Sequence, residues 1–218
     1  YKEAKSFFKL VQDPNYVTKH RFLPFVTFPI TYEIHPTFKK PKNVKRREIS
    51  LVSHHDAGIY AYFATKLNDK YNAFISSKQF DAVSVAYRTG NKFHGVSNIS
   101  VAHDTFNFVD NIGEGWILKG DFKGFFDHLD HELLQSNFNA VMGKLPEDQR
   151  RAWVKIINVL IHFHSIKKST LEELLQKKKA FRKVNKEGEK VNRDAYFKTL
   201  VEYGNFIRPN KRIIRHNL

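Results

Sequence analysis

A chain of 218 residues with 41% hydrophobic side chains is long enough to bury one large core or two small ones. It has no cysteine, which removes disulfide scaffolds and thiolate metal sites, and its longest charge-free stretches (22–32, 93–103 and 156–166) are too short for a membrane span of about 18–20 residues. A net charge of +15 points to a polyanionic partner, either nucleic acid or an anionic membrane surface. Residues 1–45 hold most of the prolines and predict irregular chain after a short helix over Lys2–Leu10. Glu48–Val52 reads as a short strand, and Ser53 with Asp56 as a capping pair. Ile59, Tyr60, Phe63, Ala64 and Leu67 repeat at the helical period, so the spacing predicts a helix over 56–69.

Phe80–Tyr87 alternates and predicts a strand, with a turn over 87–91. Val96–Asn111 returns to the helical period. Trp116–Phe122 reads as a strand that ends in a carboxylate. Phe125–Leu129 reads as a tight helical turn, Asp130 as the cap of a helix over 131–142, and Pro146 as the first residue of the next helix. Ser169–Glu172 has the pattern of a capping box opening another helix, which Gly188 breaks. A helix over 193–203 ends at Gly204, and the last ten residues read as a basic β-like segment. Short strands separated by helices predict an α+β fold, helix-rich with short antiparallel strands, and no long parallel sheet.

The charge is concentrated. Residues 39–47 hold six bases and no acid, and residues 167–215 hold fifteen bases against six acids. Two separated basic zones fit a groove that follows phosphates; the bland alternative is a solvated basic face. Aromatic residues, 14% of the chain, fill the core and offer stacking surfaces.

The run 117–134 carries the most chemistry. A carboxylate at the end of an apolar strand is held at a sheet edge. There it suits Mg²⁺, a hard ion that prefers oxygen and keeps one or two carboxylates beside substrate phosphates. Two such ions support in-line phosphoryl transfer. From the chemistry alone a second reading stays open, in which the aspartate caps a turn or a helix.

The whole string is more specific. Asp121-Phe122-Lys123-Gly124-Phe125-Phe126-Asp127-His128-Leu129-Asp130-His131-Glu132-Leu133-Leu134 resembles the first catalytic-aspartate motif of reverse transcriptases of the retron and group II intron type. That motif runs Asp-Ile-Lys-Gly-Phe-Phe-Asp-x-Ile-Asp-His-x-x-Leu. The resemblance implies the fingers and an incomplete palm of a right-hand polymerase. Asp121 would be the catalytic carboxylate and a ligand of both Mg²⁺ ions, with the carbonyl of Phe122 a further ligand of one. Phe126 falls where a bulky ring crowds the sugar 2′-carbon and selects deoxynucleotides. Lys45-Arg46-Arg47-Glu48-Ile49-Ser50-Leu51-Val52-Ser53 looks like the family's first fingers motif, a basic residue followed by a strand and a helix. Arg47, with Lys45 or Arg46 nearby, would contact the incoming triphosphate. Phe80–Gly90 looks like the next motif, which puts Arg88 on the template or nascent pair; Lys123 is assigned to nucleic acid as well. The structural alternatives are a basic hairpin without a ligand for Arg47 and a strand-end arginine in a surface salt bridge for Arg88.

Asp127, His128, Asp130 and His131 read as caps and local hydrogen-bonding groups rather than a second metal cluster. His54, His55 and His94 read as surface or capping residues, and His162 and His164 as core or boundary residues. The resemblance divides the chain into an extension (1–45), fingers (46–112), a partial palm (113–164) and a basic insert (165–218). The family's Tyr-x-Asp-Asp and Pro-Gln-Gly signatures do not occur. With Tyr1 first and Met142 its only methionine, the chain reads as a piece of a longer protein. The implied activity is RNA-directed DNA synthesis from dNTPs on an RNA template and DNA primer, in the bacterial cytoplasm and with no membrane partner. The piece alone would be inactive. The Lys-rich insert leans towards a phage-defence or otherwise unassigned bacterial class, with a non-coding RNA or accessory protein as further partner. The alternative is a degenerate reverse-transcriptase-like module that holds RNA.

Overall fold

The structure is a computed structural model that describes residues 2–34, 43–90, 97–122, 124–175, 183–184, 190–191, 196–197 and 199–216. The described residues form a helix-rich α+β protein, with eight α-helices, a four-stranded sheet and a two-stranded ribbon. The chain makes two compact units that interleave along the sequence. One comprises Tyr1–Lys19 and Gly58–Ile157, the other His20–Ala57 and Asn158–Leu218. These differ from the four consecutive stretches that the resemblance implies. No helix among the described residues is long and apolar enough to cross a membrane.

The first unit is helical. It holds α1 (Lys2–Val11), α2 (Pro14–Lys19), most of α3 (His54–Ser77), α4 (Asn98–Ile112), α5 (His131–Met142) and most of α6 (Glu147–Ile161). The stripe that begins at Ile59 and Phe63 continues to Ile75, all three buried, so α3 outruns the expected 56–69. Phe63 meets Trp153 of α6 edge-on at 4.6 Å between ring centres, and Phe138 of α5 lies 5.3 Å from the same indole. Burying the Phe63 and Trp153 rings stabilises the unit by about 1.5–3 kcal/mol each. At Gly58 a Cβ would stand 2.5 Å from the ring of Phe7, so the missing side chain lets α1 lie close on α3. Asp130 caps α5 as expected, its Oδ1 accepting from the Leu133 amide at 2.9 Å. Pro146 stands one residue before α6, its carbonyl accepting from the Arg150 amide.

Two expected strands are absent from this unit. Phe80–Tyr87 forms turns, and Trp116–Phe122 has no regular structure.

The second unit is built on the sheet. Its elements are β1 (Phe25–Ile34), β2 (Asn43–Leu51), β3 (His164–Lys167), α7 (Lys168–Leu174), β4 (Lys183–Val184), β5 (Lys190–Val191), α8 (Leu200–Ile207) and β6 (Arg215–His216). The strand order is β2-β1-β3-β6, and β4 pairs with β5 alone. The β1–β2 and β3–β6 pairs are antiparallel, whereas β1 and β3 run parallel. Only antiparallel pairing was expected. A parallel neighbour needs a long crossover, and the chain supplies one between β1 and β3.

β1 lies in the stretch expected to be irregular. Its Val26, Phe28, Ile30 and Tyr32 alternate as a strand requires, but Pro24 and Pro29 mask the pattern. β3 pairs with β1 only as far as Thr27, so at Pro29 β1 has an open edge to which the missing donor can turn. The capping box at Ser169 does not form. Lys167 precedes α7 without a side-chain cap, and Glu172 instead accepts from Lys168 Nζ and the Tyr196 hydroxyl, both at 2.9 Å. α8 is capped by Thr199 and runs through Gly204, in place of the helix expected over 193–203; residues 192–195 and 198 lie outside the described residues. The final segment contains a 3₁₀ turn, Lys211–Ile213, before β6.

Candidate functional site

The Asp121 motif belongs to the first unit. From Gly113, at the end of α4, the chain runs irregularly to Phe122. Trp116 is 104% exposed, Leu118 98% and Phe122 82%. No described strand pairs with this run. Asp121 is therefore exposed and stands outside any sheet, which corrects the expectation of a strand-end carboxylate. The segment that follows is ordered by local chemistry. Gly124 takes the left-handed conformation (φ 68°), which starts a 3₁₀ turn over Phe125–His128. His128 Nδ1 lies 2.8 Å from the Gly124 carbonyl oxygen, and the turn leads directly to the Asp130 cap.

The Phe122 carbonyl, expected to bind metal, accepts from the Phe125 amide at 3.3 Å, which leaves its second lone pair for a cation. Lys123 lies outside the described residues, as does the side chain of Phe126. Among the described residues, Asp121 belongs to no group of three side chains spaced to hold a metal.

Arg88 makes the salt bridge of the structural alternative, but buried and in a turn rather than on the surface at a strand end. Its side chain is 2% exposed. The guanidinium donates to Asp81 Oδ1 at 3.0 Å, Asn72 Oδ1 at 2.9 Å and the Ser84 carbonyl at 2.7 Å, and lies over the Tyr71 ring. Asn68 and Asn72 of α3 both donate to the Thr89 carbonyl, and the Thr89 amide donates back to Asn68. These side chains tie residues 80–90 to α3 as successive turns, which is why no strand forms there. Tyr87 beside them has φ +58° and is 96% exposed.

Lys45 and Arg47 lie within β2, not ahead of a strand as expected. In the β1–β2 ladder Lys45 faces Tyr32 and Arg47 faces Ile30, so the two bases share one face; Arg46, paired with Thr31, projects from the other. The Arg47 guanidinium lies 5.4 Å from the centre of the Tyr32 ring, a diagonal neighbour on that face. Lys45 and Arg47 are both exposed. The first residues of the basic run, 39–42, lie outside the described residues, as do His94 and most of the Lys-rich stretch 176–195.

A further cluster escaped sequence reasoning. At the start of α3 the Asp56 amide donates to Ser53 Oγ at 3.1 Å, as the capping pair predicts. The Asp56 carboxylate, however, does not complete the box. It is buried (1% exposed) and accepts from the Leu23 amide at 3.0 Å, while His20 Nε2 lies 2.6 Å from its other oxygen. The His55 ring stacks on that of His20, with centres 5.3 Å apart. Partial burial, followed by the neighbouring His20, holds the His55 imidazole below its ordinary pKa; Asp56 pulls the other way. His55 also lines a cavity of about 500 Å³ in the same unit, with Val26, Leu51, Ile166 and Tyr203. The adjacent letters His-His-Asp at 54–56 are visible in the sequence, but no periodicity links them to His20.

No protein-family model matches the chain, and a search of curated proteins finds no match.

Proposed function

We propose that this chain is part of a reverse transcriptase, contributing a nucleic-acid-binding surface and the first catalytic carboxylate of RNA-directed DNA synthesis. The observation that carries the reading is the string Asp121–Leu134. Its local geometry supports it: an exposed carboxylate, a carbonyl with a remaining lone pair, a left-handed glycine and a capped helix follow one another. Asp121 and the Phe122 carbonyl offer hard oxygen donors of the kind Mg²⁺ takes, but one carboxylate makes a weak site unless other groups and substrate phosphates join it. Mg²⁺ held there would stabilise the charge of an in-line displacement at the α-phosphate of a dNTP.

The chain's own part is to bind and orient. Lys45 and Arg47, on one exposed face of a hairpin, suit a triphosphate, and Arg47 offers the paired donors that bind phosphate oxygens two at a time. The +15 charge holds the template and primer backbones. Arg88 serves its own unit in this reading, its guanidinium engaged by Asp81, Asn72 and the Ser84 carbonyl. The second reading is a module that holds RNA without catalysing synthesis; the position of Asp121 outside any described three-ligand group favours it.

Primer extension on an RNA template by the complete gene product separates the two readings. Wild type extends the primer, and Asp121→Asn loses extension while its RNA affinity is unchanged. Extension that survives Asp121→Asn removes Asp121 from the chemistry. RNA binding by a wild type that never extends establishes the binding module.

A further inference from the structure

We propose that His20, His55 and Asp56 bind a divalent first-row transition ion, Zn²⁺ foremost, at the first turn of α3. Each residue presents one ligand atom, and the three atoms lie within 4.8 Å of one another. Tetrahedral Zn²⁺ with nitrogen and oxygen ligands at 2.0–2.1 Å separates those atoms by roughly 3.3 Å. The cluster reaches that spacing when His55, exposed in the first helical turn, moves inward and the 2.6 Å His20–Asp56 pair opens to admit the ion. Two imidazoles and a carboxylate select a borderline metal rather than Mg²⁺, which takes oxygen ligands.

The surroundings fit the same ion. The carboxylate only accepts, so the proton it shares with His20 sits on Nε2. Zn²⁺ takes that position on Nε2, and the one proton of the neutral ring moves to Nδ1. The Leu23 amide holds the second Asp56 oxygen and so fixes the carboxylate from behind, as outer hydrogen bonds do in metal sites. Burial and the neighbouring His20 favour the neutral His55 ring, the form that ligates. Because it is exposed and lines a cavity, an ion can reach it. Bound Zn²⁺ would clamp the segment before β1 to the start of α3, joining positions 36 residues apart. This site lies in the other unit from Asp121 and stands or falls separately from the polymerase reading.

The test is calorimetric titration of chelator-treated protein with Zn²⁺, with Co²⁺ visible absorption as a report on coordination. We expect one saturable equivalent, a rise in the melting temperature, a tetrahedral Co²⁺ band, and no displacement by excess Mg²⁺. Asp56→Asn can unfold the buried corner, so the deciding variants are His55→Ala and His20→Gln. Each should weaken Zn²⁺ binding by more than about tenfold and erase the Co²⁺ band. His164→Ala should leave both intact, although His164 and His216 form another close histidine pair in that unit, 4.4 Å between ring centres. The proposal is overturned if the folded protein shows no saturable binding. It is equally overturned if both deciding variants bind as wild type does, or if only His164→Ala abolishes binding.

Discussion

Residues 80–90 and residues 113–130 present the same pattern in sequence and opposite environments in structure. Each carries an apolar run, alternating over Phe80–Tyr87 and continuous over Trp116–Leu118, that leads to a charged residue and a glycine. In the first, α3 offers Tyr71, Asn68 and Asn72 at helical spacing, and the run folds onto them until Arg88 is 2% exposed with each of its three nitrogens hydrogen-bonded. In the second, no described strand pairs with the run, and Trp116 and Leu118 stay in solvent together with Asp121. The difference separates scaffold from candidate chemistry. A buried guanidinium with three hydrogen-bond partners holds its unit together, while an exposed carboxylate contributes nothing to packing and is available to a ligand.

Mutations break this contrast where it is strongest. Arg88→Ala should destabilise the first unit by about 1.5–3 kcal/mol in urea unfolding, because it removes the charged hydrogen bonds to Asp81, Asn72 and the Ser84 carbonyl. A loss below about 1 kcal/mol would mean the guanidinium is solvated after all. Asp130→Ala removes one helix cap and should cost about 1 kcal/mol by the same measurement.

A pH series sharpens the contrast between units. In the second unit, His55 and His164 have folded pKa values below the ordinary value. His55 is lowered by burial and then by His20, against the pull of Asp56; His164 is lowered by burial and then by His216. The unfolded chain therefore binds more protons as pH falls through about 6.5. Stability should be greatest above that value and decline through it towards the depressed folded values, in a melting-temperature series against pH. A rise in stability on acidification would contradict these environments. The smallest effect belongs to Asp121→Asn, which should change unfolding stability by no more than about 0.5 kcal/mol.

What was legible in the sequence was local. The Asp130 cap needs only three residues of chain, as does the Ser53–Asp56 contact, and both formed. The stripe through Ile59 and Phe63 set α3 because a helix closes its own hydrogen bonds. Strands need partners, and the partners are what the linear pattern lacks. The Phe80 run lost its strand to asparagines on α3. β1 was hidden by two prolines and paired in parallel with a segment far along the chain. At the candidate site, the motif letters located an exposed carboxylate but not its lack of a sheet. Arg88 and Arg47 looked alike as basic residues near strands, and only coordinates showed one spent on Asp81 and the other exposed beside Tyr32. His20 and Asp56 meet across the fold, beyond any local signal.

The most direct test of Asp121 as a metal ligand is to replace Mg²⁺ with Fe²⁺ in the complete gene product, bound to template, primer and dNTP, and to map backbone cleavage by the hydroxyl radicals that ascorbate and peroxide generate there. The account predicts cuts within a few residues of Asp121 that excess Mg²⁺ suppresses and Asp121→Asn abolishes. Cuts near His20 and His55 that ignore Mg²⁺ would mark the separate imidazole site. An intact chain around residues 119–124, with cleavage elsewhere unchanged by Asp121→Asn, would contradict it.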